Sequence, residues 1–199
     1  MIGAVLAGGR SRRFGGNKLL HRIDGKLLVL HTIERLESCP SIEEVVLIAS
    51  PENAGSLERF GRRIIVDELL VGPLGGIYTA LKLGDAFVVA GDMPSIVPEI
   101  VETIIGEFRK KEVDACVPRW PNGYIEPLHA AYSKGFMRAI KKRLDEGEYQ
   151  IKKALEIAKV CYFPLEDVPK EWHVSFFNVN RRKDVENLEN KLDISRPQI

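Results

Sequence analysis

Four glycines and four basic side chains crowd the stretch Leu6-Ala7-Gly8-Gly9-Arg10-Ser11-Arg12-Arg13-Phe14-Gly15-Gly16-Asn17-Lys18, directly after the apolar run Ile2 to Leu6. Glycine lets backbone N–H groups come close to a loop surface, and the Arg and Lys charges surround them. Phosphate is the ligand that such a loop suits. Two familiar phosphate loops are excluded by counting. A P-loop needs glycine five residues after its first, then Lys and Ser or Thr, and five on from Gly9 is Phe14. The dinucleotide fingerprint needs glycine two residues after its first, and two on from Gly8 is Arg10. The plainer reading of Arg10 to Arg13 is a solvated basic loop, and that run is too short for a nucleic-acid patch.

Three further positions could do chemistry. Asp92 directly follows Phe87-Val88-Val89-Ala90-Gly91, at the carboxyl end of a buried strand, where ligands bind in open α/β sheets. A metal carboxylate belongs there; a helix cap is the plainer alternative. Asp67 follows the strand Ile64 to Val66 and Ser50 ends the strand Val45 to Ala49, two equivalent places where a loop carboxylate or a turn serine would also be ordinary. Asn178 and Asn180 alternate with Val179, so in extended chain both amides point to one side. Asn180 could instead cap the helix that follows.

The elements that must position these residues are legible as apolar strands alternating with amphipathic helices, the pattern of a mostly parallel sheet covered on both faces. Strands are expected at Ile2 to Leu6, Val45 to Ala49, Ile64 to Val66, Ala86 to Ala90 and Val113 to Val117. Helices are expected at Leu27 to Leu36, Gly75 to Leu83 and Pro98 to Phe108. After the turn signal Pro121-Asn122-Gly123 the rhythm changes. Strands at Leu128 to Tyr132, Val160 to Phe163 and Val174 to Phe177 and helices at Lys134 to Leu144, Tyr149 to Ile157 and Asp184 to Leu192 extend the same sheet with some antiparallel pairing. No linker divides residues 1–199, so one α/β domain of three α/β/α layers is expected.

Lys and Arg number 29 against 28 Asp and Glu, a net charge of +1. Such a balance speaks against a nucleic-acid or membrane coat, either of which leaves a basic excess. No apolar run approaches a membrane span, and the opening residues lack the basic lead of a signal peptide, so a cytoplasmic protein is expected. Cys39, Cys116 and Cys161 are widely spaced and form no Cys-x-x-Cys pair; they read as buried thiols.

The opening Leu-Ala-Gly-Gly, then Arg, then Phe-Gly-Gly-x-Lys resembles that of nucleotidyltransferases with the nucleotide-diphospho-sugar transferase (Rossmann-like) fold, most closely the molybdenum cofactor guanylyltransferases. Three later stretches agree in order: Gly72-Pro73-Leu74-Gly75-Gly76, Gly91-Asp92-Met93-Pro94 and Phe177-Asn178-Val179-Asn180. The glycine loop alone is shared by many sugar-nucleotide enzymes; the four stretches together are specific. Two departures stand out. Asn17 replaces the Asp that usually precedes the loop lysine, as in the related cytidylyltransferases, and Arg181-Arg182-Lys183-Asp184-Val185 replaces a Thr-Pro-Glu-Asp-Leu helix start.

The resemblance implies transfer of GMP from Mg-GTP to the phosphate of molybdopterin, with release of pyrophosphate. Leu6, Ala7, Gly8, Gly9, Lys18, Asp67 and Asp92 would bind the nucleotide. Lys18, Arg10 and Asp92 would act in catalysis, Asp92 would hold Mg2+, and Asn178 and Asn180 would receive the pterin. His129, in Glu126-Pro127-Leu128-His129, falls in a stretch resembling the family's substrate side. Trp120 could stack on a ring system. Transient contacts with molybdoenzymes or cofactor-synthesis proteins would follow. The competing readings are a cytidylyltransferase on the same pterin, a cobinamide-phosphate or sugar-1-phosphate nucleotidylyltransferase, and a non-catalytic nucleotide sensor or cofactor-delivery scaffold.

Overall fold

The computed structural model describes residues 1–9 and 17–185. Its main sheet has seven strands in the order β5-β4-β1-β6-β8-β7-β9. They are β1 (Ile2–Leu6), β4 (Glu44–Ala49), β5 (Arg63–Val66), β6 (Ala86–Ala90), β7 (Ala115–Arg119), β8 (His129–Tyr132) and β9 (Val160–Pro164). β1 lies centrally, parallel to β4 and β6, with Leu6 level with Ile48 and Ala90. Only β8 runs the other way in this sheet, antiparallel to β6 and β7. A small antiparallel pair, β2 (Arg22–Ile23) and β3 (Lys26–Leu27), stands apart from it.

Helices cover both faces, and the inner strands bury both of their sides: Val45 to Ala49, for example, are all buried. On one face α1 (Leu28–Glu37), α2 (Pro51–Leu57) and α4 (Pro98–Lys111) pack Ile33, Leu36, Leu57, Ile104 and Phe108 against Val5, Leu47 and Phe87. On the other face α3 (Pro73–Leu81), α5 (Met137–Asp145) and α6 (Ile151–Leu155) pack Leu74, Ile77, Ile140 and Leu155 against Val46, Val88 and Val117. This is the three-layer architecture expected from the alternating pattern.

Several boundaries move, for local reasons. The helix expected from Gly75 starts at Pro73, because proline at the first helical position loses no bond there and Gly72 takes φ 79°, outside the usual range of other residues. The helix expected to end at Phe108 continues to Lys111, its last turn carrying Arg109, Lys110 and Lys111, a favourable placement against the helix dipole. The strand expected over Val174 to Phe177 is part of a 3-10 segment, Lys170–Phe176. So short an apolar run fits a buried turn as well as a strand, and here Ser175 turns inward to bonds with Val97 and His129. Beyond Val185 the expected terminal helix lies outside the described residues.

Candidate active site

The chain leaves β1, β4, β5 and β6 on the same edge of the sheet, and a cavity of about 700 Å³ opens there. Leu6, Gly8, Gly9, Lys18, Asp67 and Asp92 all line it. Residues far apart in sequence are thus gathered by parallel strands that end together, the geometry expected at the switch point of an open sheet. Ala7 is fully enclosed beneath the cavity: its N–H donates to the Ile48 carbonyl at 2.7 Å and its carbonyl accepts from the Asn53 amide at 3.0 Å. Arg10 lies outside the described residues.

Lys18 and Asp92 meet as an ion pair across 74 residues, their side chains 17% and 12% exposed. A 3-10 turn, Lys18–Leu20, holds the lysine, and Asn17 caps it by accepting the Leu19 N–H at 3.2 Å. Asp92 is held by its neighbours. The Gly91 N–H donates to the Leu6 carbonyl at 3.0 Å. The buried Thr32 hydroxyl of α1 lies 3.1 Å from each of the Gly91 and Met93 carbonyls.

Asp67 is 8% exposed. Its Oδ1 accepts from the Leu69 N–H at 3.1 Å and from the Thr79 hydroxyl at 3.2 Å. Its Oδ2 lies where a Cβ on Gly75 would approach to 2.9 Å, so this helical glycine makes room for a carboxylate at the cavity wall.

Asn178 and Asn180 are not among the residues that line the cavity, but the residue between them is bonded to Asp92. The Val179 N–H donates to the Asp92 carbonyl at 2.9 Å, and the Val179 side chain is buried with Ile23, Leu28 and Val185. Asn178 is half-buried, its amide 3.3 Å from the Phe176 carbonyl, and Asn180 is exposed. The cap expected of Asn180 is made by Asp184, whose Oδ2 accepts the N–H groups of Asn180 and Arg181 at 2.9 and 2.7 Å. This satisfies the free amides at the turn despite the three basic residues there.

His129 and Trp120 are taken up in packing. His129 is fully buried, with Nε2 2.7 Å from Ser175 Oγ and its ring against Phe87 and Phe176. Burial pushes its pKa down to about 4, so it is neutral, and it faces the core instead of a substrate. Trp120 packs edge-on against His173 and Phe176 and donates to Glu126 at 2.8 Å; burial raises the Glu126 pKa. Two supporting residues escaped the reading of the sequence. Asn53 braces the glycine loop through the Ala7 and Gly9 carbonyls, and the serine-proline pair Ser50-Pro51 was the available signal for its helix. Thr32 left no local signal, since its role depends on a strand 59 residues away.

The MobA-like NTP transferase domain family matches residues 3–160. A protein of Thermococcus gammatolerans named as a probable molybdenum cofactor guanylyltransferase is 58% identical over 94% of this chain and 98% of its own length. One of the same name from Pyrococcus horikoshii is 54% identical over 93% and 97%. The crystal structure of molybdopterin-guanine dinucleotide biosynthesis protein A from Archaeoglobus fulgidus superposes with a TM-score of 0.86 at 30% identity, covering 98% of this chain and all of that one. Fold, cavity and sequence therefore converge: this chain belongs to the MobA-like NTP transferase family and is a nucleotidyltransferase.

Proposed function

We propose that the enzyme transfers GMP from Mg-GTP to the terminal phosphate of molybdopterin, producing the guanine dinucleotide and pyrophosphate. The observation that supports this reading is the bond from the Val179 N–H to the Asp92 carbonyl, which joins the Asn178-Val179-Asn180 segment to a residue of the cavity wall. The guanylyltransferase names of the similar proteins support the choice of base and acceptor.

The acceptor phosphate is already an anion near neutral pH, so the reaction needs no Ser-His or Cys-His pair. An oxygen of that phosphate attacks the α-phosphorus, the bond to the bridging oxygen of the β-phosphate breaks, and its electrons leave with pyrophosphate. The protein's task is to position both reactants and to spread the accumulating negative charge. Gly8 and Gly9 offer backbone amides to the triphosphate. The Lys18 ammonium exchanges the Asp92 carboxylate for phosphate oxygens when the nucleotide arrives. Arg10, next along the loop, adds a further positive charge.

Asp92 would hold Mg2+. The donor set fits, since magnesium takes one or two carboxylates together with phosphate oxygens and water, and no cluster of three or more His, Cys, Asp or Glu residues occurs among the described residues. When bound, the metal supplies charge neutralisation at the phosphates.

The cytidylyltransferase reading rested on Asn17. That side chain caps the Lys18 turn, a task aspartate performs equally well, so the substitution carries no information about the base. The test is thermal-shift titration with Mg complexes of GTP, CTP, ATP and UTP. Stabilisation grows with ligand concentration over Kd, and GTP alone should give the large shift; a larger one with CTP would overturn the choice of base.

A further inference from the structure

Ser50 carries the one buried side-chain oxygen without a hydrogen-bond partner among the described residues. It is 8% exposed and lines the active-site cavity. A serine just before a helix ordinarily spends its hydroxyl on that helix's free N–H groups. Ser50 precedes α2, yet its side chain makes no such bond; only its backbone carbonyl receives the Asn53 and Ala54 amides. An unpaired buried hydroxyl is costly, and on a residue that lines a ligand cavity it is explained if the ligand completes it.

Position in the sheet identifies which part of the ligand that is. Lys18 and Asp92 mark the phosphate end, beside β1 and β6. Ser50 follows β4, two strands from β6, so it stands about 10 Å from Asp92's strand end. That separation is about the reach of a nucleoside from its α-phosphate to its base. The walls agree, because Ile48, Pro51, Leu70 and Pro73 put apolar surface at this end of the cavity, against which a base can pack. Asp67 stands on the neighbouring strand end, its N–H bonded to the Ala49 carbonyl at 2.8 Å.

We propose that Ser50 is a nucleobase-reading residue whose hydroxyl donates to O6 of guanine, with Asp67 as the acceptor for the base's N1–H and 2-amino groups. The assignment rests on the GTP reading above and deepens it. A donor beside an acceptor matches guanine. Adenine lacks the N1–H and the 2-amino group, so although the Ser50 hydroxyl can turn to accept from its 6-amino group, the Asp67 carboxylate would face the N1 lone pair with no donor to accept from.

The experiment compares wild type with Ser50→Ala by calorimetry, using Mg complexes of GTP, ITP, 2-aminopurine riboside triphosphate and inorganic tripolyphosphate. ITP keeps O6; the aminopurine nucleotide lacks it. Loss of the contact should weaken GTP and ITP binding about 10-fold, leave the other two ligands unchanged, and leave Tm unchanged or slightly higher because no native bond is removed. Wild-type affinity for GTP in the variant, or an equal loss for all four ligands, would overturn the assignment. A wild-type protein that binds tripolyphosphate but shows no preference for GTP or ITP would instead overturn the proposed choice of base, and the Ser50 role with it.

Discussion

The backbone N–H of Val179 donates to the carbonyl of Asp92, 2.9 Å away. This single bond ties the segment carrying Asn178 and Asn180 to the strand end that carries the candidate metal carboxylate. Val179 is buried in its own small core, while Asn178 on one side of it is half-buried and Asn180 on the other is exposed. Asn180→Ala should weaken molybdopterin binding by about 1–3 kcal/mol and leave GTP binding and Tm almost unchanged. The helix start is held by Asp184, so Asp184→Ala should lower Tm instead. Separate titrations of the two variants with Mg-GTP and molybdopterin, alongside melting curves, check this; a loss in Asn180→Ala confined to GTP would reverse the assignment.

Lys18 and Asp92 pair across the cavity wall, and each variant separates a different function. Lys18→Ala should weaken all four nucleotides alike, because the phosphates are common to them. Asp92→Ala should lower turnover by orders of magnitude while GTP binding persists, the freed Lys18 remaining available to phosphate. Calorimetry and pyrophosphate release distinguish these outcomes; near-normal turnover in Asp92→Ala would remove the metal role.

Thr32 is a positioning residue, acting on Asp92 through the carbonyls on either side of it. Thr32→Val keeps the shape and removes the donor, which should cost about 1–3 kcal/mol in stability. A displaced Asp92 should lower kcat by about 10- to 100-fold with little change in the KM for GTP, and raise the Mg2+ concentration needed for half-maximal rate. A purely structural role would lower Tm without moving the Mg2+ requirement.

His129 gives the fold a pH dependence. Its pKa falls from 6.5 to about 4 on burial, so below pH 6.5 the unfolded chain binds a proton that the folded chain refuses. The stability is complete above pH 6.5 and is lost as pH falls towards 4, by roughly 3 kcal/mol. Denaturant titrations at pH 7 and pH 4.5 should show the decline in wild type and a shallower one in His129→Phe. Equal slopes would place the acid sensitivity elsewhere.

Much of this arrangement is legible in the chain. β6 appears with the boundaries expected of it, and Gly8, Gly9, Asp67 and Asp92 come to one cavity because parallel strands end together. The segment Val174 to Phe177 is not the expected strand because three apolar residues and a serine are too few to show a period; its path is set by the distant partners of Ser175. Thr32 and Asn53 were invisible for a related reason. Each bonds to backbone carbonyls, which every residue possesses, so residue type at the receiving position holds no signal. His129 shows the converse, a side chain suited to chemistry that the fold encloses among Phe87, Phe176 and Ser175.

The measurement that bears most directly on the central claim is product analysis after wild-type enzyme is incubated with Mg2+, α-labelled GTP and molybdopterin. Pyrophosphate should appear in equal amount to label joined to the pterin, and only when both substrates are present. Pyrophosphate release without molybdopterin, or joining of label from CTP in preference to GTP, would contradict it.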